Sequence, residues 1–456
     1  MNRRDLLSRS GALAVAALAG CAGSDGSPAG TSTELGEPTT GTTTERPTET
    51  PTNTPTETPG SSEPTVDEAR LANLAADNAA FALDLHAHLA RETGGNQFLS
   101  PYSISVALAM TFAGARGKTR EQMRETLHYA LGEDVHPAFA DLEAVLESRE
   151  TATDPAEGNE VDAFQLDLAN AVWGKEGYAF AEGYLALLDE HYGAGLRSAD
   201  FADQPEAERK RINEWVADAT ENRIENLLPP GSISPDTVLV LTNAIYFMAA
   251  WLRKFDPENT EQGTFTALDG SESQVPFMHQ TLETGYASVD GAQALELPYV
   301  GDEVSMVLIL PDEGAFESFE RELDADRLFG IFDALGRAKG DLAMPTFEFG
   351  SKVRLKDALS ALGMPVAFGG RADFSGMVEG ENAGLWIDDV FHESFVSVDE
   401  EGTEASAATA VLVEESIPPE WGELRFDRPF LFCIRDRPTN AVLFLGRVVD
   451  AGAAQG

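Results

Sequence analysis

A chain of 456 residues with 43% hydrophobic content carries enough apolar material for a large core. Its 77 acidic residues stand against 32 basic ones, and the formal net charge of -45 repels phosphate backbones and excludes nucleic acid as a partner. Two cysteines cannot build a disulfide framework.

The N-terminus reads Arg3-Arg4-Asp5-Leu6-Leu7, then an apolar run from Gly11 to Gly20 that ends on Cys21. Ten apolar residues are too few to span a bilayer and suit the core of an export signal. The paired arginines resemble the twin-arginine signal. Leu18-Ala19-Gly20-Cys21 resembles a lipobox, in which the cysteine is lipidated and becomes the mature N-terminus. Residues 1–21 are therefore expected to be a signal segment, leaving Cys21 as a lipid anchor on the extracellular face of the cytoplasmic membrane. From 22 to 64 the composition shifts to Thr, Pro, Glu, Gly and Ser without apolar periodicity, which predicts a disordered stalk. The acid excess resembles that of proteins from extreme halophiles, where salt screens carboxylate repulsion.

A globular domain is expected over residues 65–450, followed by a tail over 451–456. Thr65-Val66-Asp67-Glu68 has capping-box spacing and opens a helix whose face is Leu71, Leu74, Asn78, Phe81, Leu85 and Leu89. His86 and His88 on this helix point to different faces and make no metal site. Further helices are predicted near 103–113, 120–131 and 206–228. Strands are predicted at 238–247, 305–310, 395–398 and 441–448. Helices dominate early and strands late, which argues for an α+β fold.

The search for catalytic motifs is negative. The chain has no Gly-x-Ser-x-Gly elbow, no His-Glu-x-x-His and no Gly-x-x-x-x-Gly-Lys phosphate loop. Nothing in the sequence calls for a cofactor, a metal or an enzymatic activity. Cys433, within Phe430-Leu431-Phe432-Cys433-Ile434, reads as a core residue. His392 lies among Val390, Phe391, Phe395 and Val396 and reads as a buried histidine that needs partners.

One segment stands apart: Glu400-Glu401-Gly402-Thr403-Glu404-Ala405-Ser406-Ala407-Ala408-Thr409. As a strand it would send Thr403, Ala405, Ala407 and Thr409 to one face, and those small side chains can slide under a packed layer without a clash. The same residues can equally form an exposed loop, and that duality suggests a switch.

Blocks in a fixed order carry a resemblance. They are Asn96 to Ile104, Asn243-Ala244-Ile245-Tyr246-Phe247 with Trp251, and Glu296-Leu297-Pro298-Tyr299. Ala372-Asp373-Phe374-Ser375-Gly376, His392, Arg428-Pro429-Phe430 and Leu443-Phe444-Leu445-Gly446-Arg447 complete the series. Over roughly residues 65 to 450 the chain resembles the serpins, inhibitors whose exposed reactive loop near the C-terminus inserts into their own sheet. The resemblance implies helices packed on large mixed and antiparallel sheets. It makes Glu400, Gly402, Thr403, Ala405, Ala407 and Thr409 the loop's hinge. Ser100, Ser103, Asn243 and His392 become the polar shutter where the central strands part, and Trp251 with Glu400 the breach where insertion begins.

The implied partner is a secreted serine protease, subtilisin-like or elastase-like, held by a monomeric inhibitor as an acyl complex. Counting along the loop places the scissile bond after Ser416, before Ile417. Counting back from Pro418-Pro419-Glu420 places it after Glu415. Small hinge residues favour inhibition, while the alternative is a lipid-anchored, non-inhibitory binding or carrier protein with the same fold. Met248 and Thr346 depart from the family, since each stands where relatives usually carry lysine, and the second lysine pairs with the hinge glutamate.

Overall fold

The computed structural model describes residues 67–153, 160–193, 195–380, 384–403 and 419–455. Helices come first: α1 Glu68–Thr93, α2 Pro101–Phe112, α3 Gly117–Thr126, α4 Val135–Glu147, α5 Glu182–Tyr192 and α6 Pro205–Ala219. Three shorter ones, α7 Phe316–Glu322, α8 Ala325–Ala334 and α9 Lys356–Leu362, lie among the later strands. Strands of the first half are β1 Gln97–Leu99, β2 Thr151–Thr153, β3 Glu160–Asp162, β4 Phe164–Lys175, β5 Arg197–Ala199 and β6 Leu239–Ala250. Then come β7 Glu261–Thr266, β8 Glu272–Val289, β9 Ala292–Pro298, β10 Val304–Pro311, β11 Gly336–Pro345 and β12 Phe347–Arg354. The last are β13 Ile387–Val398, β14 Gly402–Thr403, β15 Glu420–Arg425, β16 Phe430–Asp436 and β17 Val442–Val448.

Two sheets organise the α+β fold among the described residues. One has the order β12-β13-β14-β6-β4-β5; the other runs β1-β17-β16-β10-β9-β8-β11-β15, with β7 on β8. The main core lies between them. Phe98 stacks on Phe444 at 4.9 Å, and Phe247 meets both Phe444 and Tyr299. On the other face of the first sheet, α6 lays Ile212 and Val216 over Trp173, Val240, Ala244 and Phe391.

The α1 face is buried as its spacing predicts. The cap differs from expectation, because the Asp67 carboxylate accepts from the backbone N–H of Arg70 and the helix begins at Glu68. Thr65 lies outside the described residues. Two predicted helices stop early. α3 ends at Thr126, and His128 turns into the left-handed region with φ 56°. α6 ends at Ala219, where the Thr220 hydroxyl donates to Val216 O and accepts from Ile224 N, and Glu221 and Asn222 have positive φ. Ile224, Leu227 and Leu228 are buried without being helical, so their apolar spacing extended the prediction too far. β6 and β13 are longer than predicted. β13 carries Asp389, 1% exposed, which the Arg354 guanidinium neutralises from β12.

Candidate functional site

The strands β6 and β13 are parallel neighbours over their lower halves, in the register Val390↔Leu241, His392↔Asn243 and Ser394↔Ile245. Beyond Ser394 they part. Into the opening goes β14: Thr403 pairs with Val398 on one side and with Ala249 on the other, and Gly402 pairs with Ala250. β14 is antiparallel to both neighbours, so two residues of the hinge already occupy a strand position in the sheet.

A tight turn sets this up. The Asp399 carboxylate accepts from the N–H groups of Glu401 and Gly402 at 2.8 and 3.1 Å, and Asp399 N–H donates to Gly402 O. Gly402 is required by close approach, since a Cβ there would lie 2.2 Å from Ala249 O. Thr403 is 2% exposed, and its hydroxyl meets the Tyr299 hydroxyl at 2.8 Å. Burial pushes the Tyr299 phenol far above its ordinary value, so it stays neutral.

Trp251 holds the turn from below. Its backbone N–H donates to Glu401 O at 3.0 Å, its indole N–H donates to Asp399 O at 2.9 Å, and its ring stacks on Tyr299 at 4.7 Å. Glu400 accepts from the Thr260 hydroxyl, and its carbonyl accepts from Phe255 N–H at 2.9 Å. Thr346 is engaged elsewhere, donating its N–H to Pro276 O and accepting from Gln455. Met248 sits in β6 opposite Gln165.

Lower down, the structure brings Ser100, Ser103, Asn243 and His392 together. Ser100 caps α2, its hydroxyl accepting from Ser103 N–H and donating to Leu443 O at 2.8 Å. Its backbone N–H donates to His392 Nε2 at 3.3 Å, so Nδ1 carries the imidazole proton and donates it to the Asn243 side-chain oxygen. The Asn243 amide donates at 2.6 Å to both Ser103 Oγ and Asn170 Oδ1. Ser103 Oγ also donates to Asn170 Oδ1, at 2.9 Å. A protonated His392 would face a donor with a donor. Full burial pushes the imidazole down to about 3, and the ring is neutral.

Sequence reasoning missed Asn170, Tyr299, Asp399 and Thr260. Asn170 had a readable signal, a lone amide in the otherwise small-apolar stretch Leu168-Ala169-Asn170-Ala171-Val172. Ala405, Ala407 and Thr409 and the candidate bond residues Glu415, Ser416 and Ile417 lie outside the described residues, as does Cys21. The loop's far end is fixed: Lys339 N–H donates to Pro419 O at 2.8 Å, and β15 runs parallel to β11. One end of the loop thus belongs to each sheet. Among the described residues no group of three or more His, Cys, Asp or Glu is placed to hold a metal ion.

The family model described as Serpin (serine protease inhibitor) matches residues 76–451. The chain is a serpin. It is 41% identical to an uncharacterised serpin-like protein of Thermococcus kodakarensis, over 81% of this chain and 84% of that one. It is 36% identical to the leukocyte elastase inhibitor of Xenopus laevis, over 83% of this chain and 99% of the relative. The thermophilic serpin tengpin in its native state superposes with a TM-score of 0.73 at 27% identity, covering 85% of this chain and 96% of tengpin. Within this serpin, β14 holds Thr403 between β13 and β6.

Proposed function

We propose that this serpin inhibits secreted serine proteases of the subtilisin or elastase type by acting as their suicide substrate. The observation that carries the reading is β14, two residues already seated antiparallel between β6 and β13. Continued in the same register, the strand would set Ala405 between Phe247 and Val396, Ala407 between Ile245 and Ser394, and Thr409 between Asn243 and His392. Residues paired across strands share a face, so these small side chains would enter the face that Thr403 already enters. The polar shutter would open around a hydroxyl that can replace the bonds lost between Asn243 and His392.

The chemistry follows. The protease serine oxygen attacks the carbonyl of Glu415 or Ser416, the peptide nitrogen of the next residue leaves as an amine, and an acyl ester joins the two proteins. Freed at that bond, the segment from Gly402 can extend about 45 Å at roughly 3.3 Å per residue, carrying the ester and its protease along the sheet before water reaches them. Some dozen new sheet hydrogen bonds at about 1 kcal/mol each give a driving force on the order of 10 kcal/mol. A parallel contact between β6 and β13 is also exchanged for two antiparallel ones, the slightly stronger kind. The intact form is then kinetically trapped. The protein acts as a substrate rather than a catalyst, works as a monomer, and is exported and tethered by Cys21 through its Thr/Pro-rich stalk.

A denaturing gel tests this. The protein is mixed in high salt with a subtilisin-like and an elastase-like protease, and the inhibitor forms a conjugate that survives denaturation. Sequencing the released peptide fixes the scissile bond. A carrier would show cleavage with no conjugate, and that result would overturn the proposal.

A further inference from the structure

β15 is the least supported strand of the second sheet among the described residues. It ends the strand order at one edge and pairs with β11 alone, through a short parallel ladder from Lys339 to Ala343. Yet it carries the far end of the loop, because Lys339 N–H holds Pro419 O directly before it.

One residue of β15 does not fit the ladder. Lys339 pairs with Glu420 and Gly340 with Gly422, so Trp421 is an extra residue in a β-bulge. Gly422 takes φ 83°, a left-handed conformation that a side chain would strain. The bulge lays the indole over the sheet. Its ring stacks on Tyr286 of β8 at 5.3 Å, and a Cβ on Gly340 would come 2.3 Å from the indole nitrogen. Tyr286 is itself fixed, donating its hydroxyl to the Gln293 side chain of β9 at 3.1 Å. A single half-buried side chain thus reaches across β11 to β8 and fastens the edge strand to both.

Every residue that joined β14 in the first sheet would draw the uncut loop away from Pro419. The chain would then have to double back, at roughly 3.3 Å per residue in each direction. No more than about half of the residues between Thr403 and Pro419 can enter while β15 keeps its place. The rest can follow in an uncut chain only if β15 leaves β11. We infer that Trp421 is the positioning residue that prevents this, and that its indole clamp sets how long the uncut protein stays able to trap a protease. Without the clamp, β15 peels from the sheet edge, the whole loop inserts with no protease attached, and the protein settles into a more stable, inert form. The link to trapping rests on the suicide-substrate reading.

The test is the lifetime of the full uncut chain, kept warm in high salt without protease. Aliquots are assayed for conjugate yield with a subtilisin-like protease, for melting temperature, and by mass for an unbroken chain. Trp421→Ala should lose its conjugate yield at least tenfold faster than wild type. Its melting temperature should rise as the yield falls, toward that of the cleaved protein, with the mass unchanged. Gly340→Ala, whose methyl displaces the indole while the tryptophan is retained, should behave in the same way. Trp421→Phe keeps a ring over Gly340 and should stay within threefold of wild type. Freshly purified variants should all give the wild-type yield, because a cut loop no longer pulls on β15. A residue that only added stability would lower the melting temperature and never raise it, so loss of yield without that rise overturns the inference. Conjugate from fresh protein with a lifetime that neither alanine variant shortens also overturns it, and leaves the suicide-substrate reading in place. If fresh wild type forms no conjugate at all, that reading fails and takes the clamp's role with it.

Discussion

The Thr403 hydroxyl lies 2.8 Å from the Tyr299 hydroxyl, and Tyr299 stacks on the Trp251 ring that supports the hinge turn. The Thr403 side chain is thus fastened to the core in the intact chain. Thr403→Arg would place a guanidinium where the side chain is 2% exposed, beside the Tyr299 hydroxyl. The variant is expected to be cleaved in its loop as fast as wild type and to yield no conjugate on a denaturing gel. Tyr299→Phe is milder, leaving one buried hydroxyl without its partner. It should lower the stability of the intact form by about 1–2 kcal/mol in denaturant titrations.

Gly402 is the second fixed point. A Cβ at this position would meet backbone atoms of Ala249 and Ala250 at 2.2 and 2.8 Å, and backbone cannot rotate aside. Gly402→Val is expected to expel β14 from the sheet in the intact form. Hydrogen exchange at Thr403 should then rise to the rate of an exposed loop, above that expected of the wild type, where Thr403 is paired on both sides. Protection equal to wild type would show that the sheet can absorb the branched side chain.

Much of this site was legible because its residues are chemically conspicuous. Asn243, His392, Ser100 and Ser103 stand in recognisable blocks, and the small residues after Gly402 announce a strand that must pass a packed layer. Residues that work through geometry alone were not legible. Asp399 matters because its carboxylate turns back on two N–H groups, and an aspartate next to two glutamates gives no sign of that. Asn170 matters only because β4 places it directly opposite Asn243. β13 was read too short because Asp389 and Glu393 interrupt its apolar pattern, and a buried acid is tolerated there only through Arg354 on the next strand. Helix ends failed for a similar reason: the left-handed turns at His128 and Asn222 carry no glycine.

Two buried histidines set the response to acid. Burial pushes His392 down to about 3 and His136 to about 4, from an unfolded value near 6.5. His392 has uncharged neighbours, whereas His136 has Glu133 at 3.7 Å, with His191 and Arg120 acting against its protonation. A histidine held neutral in the fold is protonated more readily in the unfolded chain. Its stability contribution is therefore whole above pH 6.5 and is lost as pH falls from there toward the folded value. Between pH 7 and pH 5 each should subtract about 2 kcal/mol. His128, raised by Asp84, works in the opposite direction. Denaturant titrations at both pH values should show the loss, and His136→Gln should remove about half of it.

The acid excess sets the response to salt. With a net charge of -45, carboxylate repulsion is long-ranged in dilute buffer and is confined to within about 3 Å at 1 M salt. The intact protein should melt at a substantially lower temperature in dilute buffer than in molar KCl. A melting temperature indifferent to salt would sever composition from stability.

Cleavage of the loop should raise stability, and this outcome separates a loaded sheet from a decorative one. In the intact chain Thr403 is tied to one sheet and Pro419 to the other, so β14 cannot grow past the point its tether allows. Once the tether is cut, Ala405, Ala407 and Thr409 are free to follow Thr403 into the same face. Each new residue adds bonds to both β6 and β13, and the gain of order 10 kcal/mol exceeds the whole stability of many small domains. The cleaved form should therefore melt well above the intact one, by tens of degrees, with the same salt and pH held in both samples. Thr403→Arg supplies the control: cut at the same bond, it cannot begin the strand, and its melting temperature should stay near that of the intact protein. Equal melting of cut and uncut wild type would mean that β14 is a resting position rather than the start of a path.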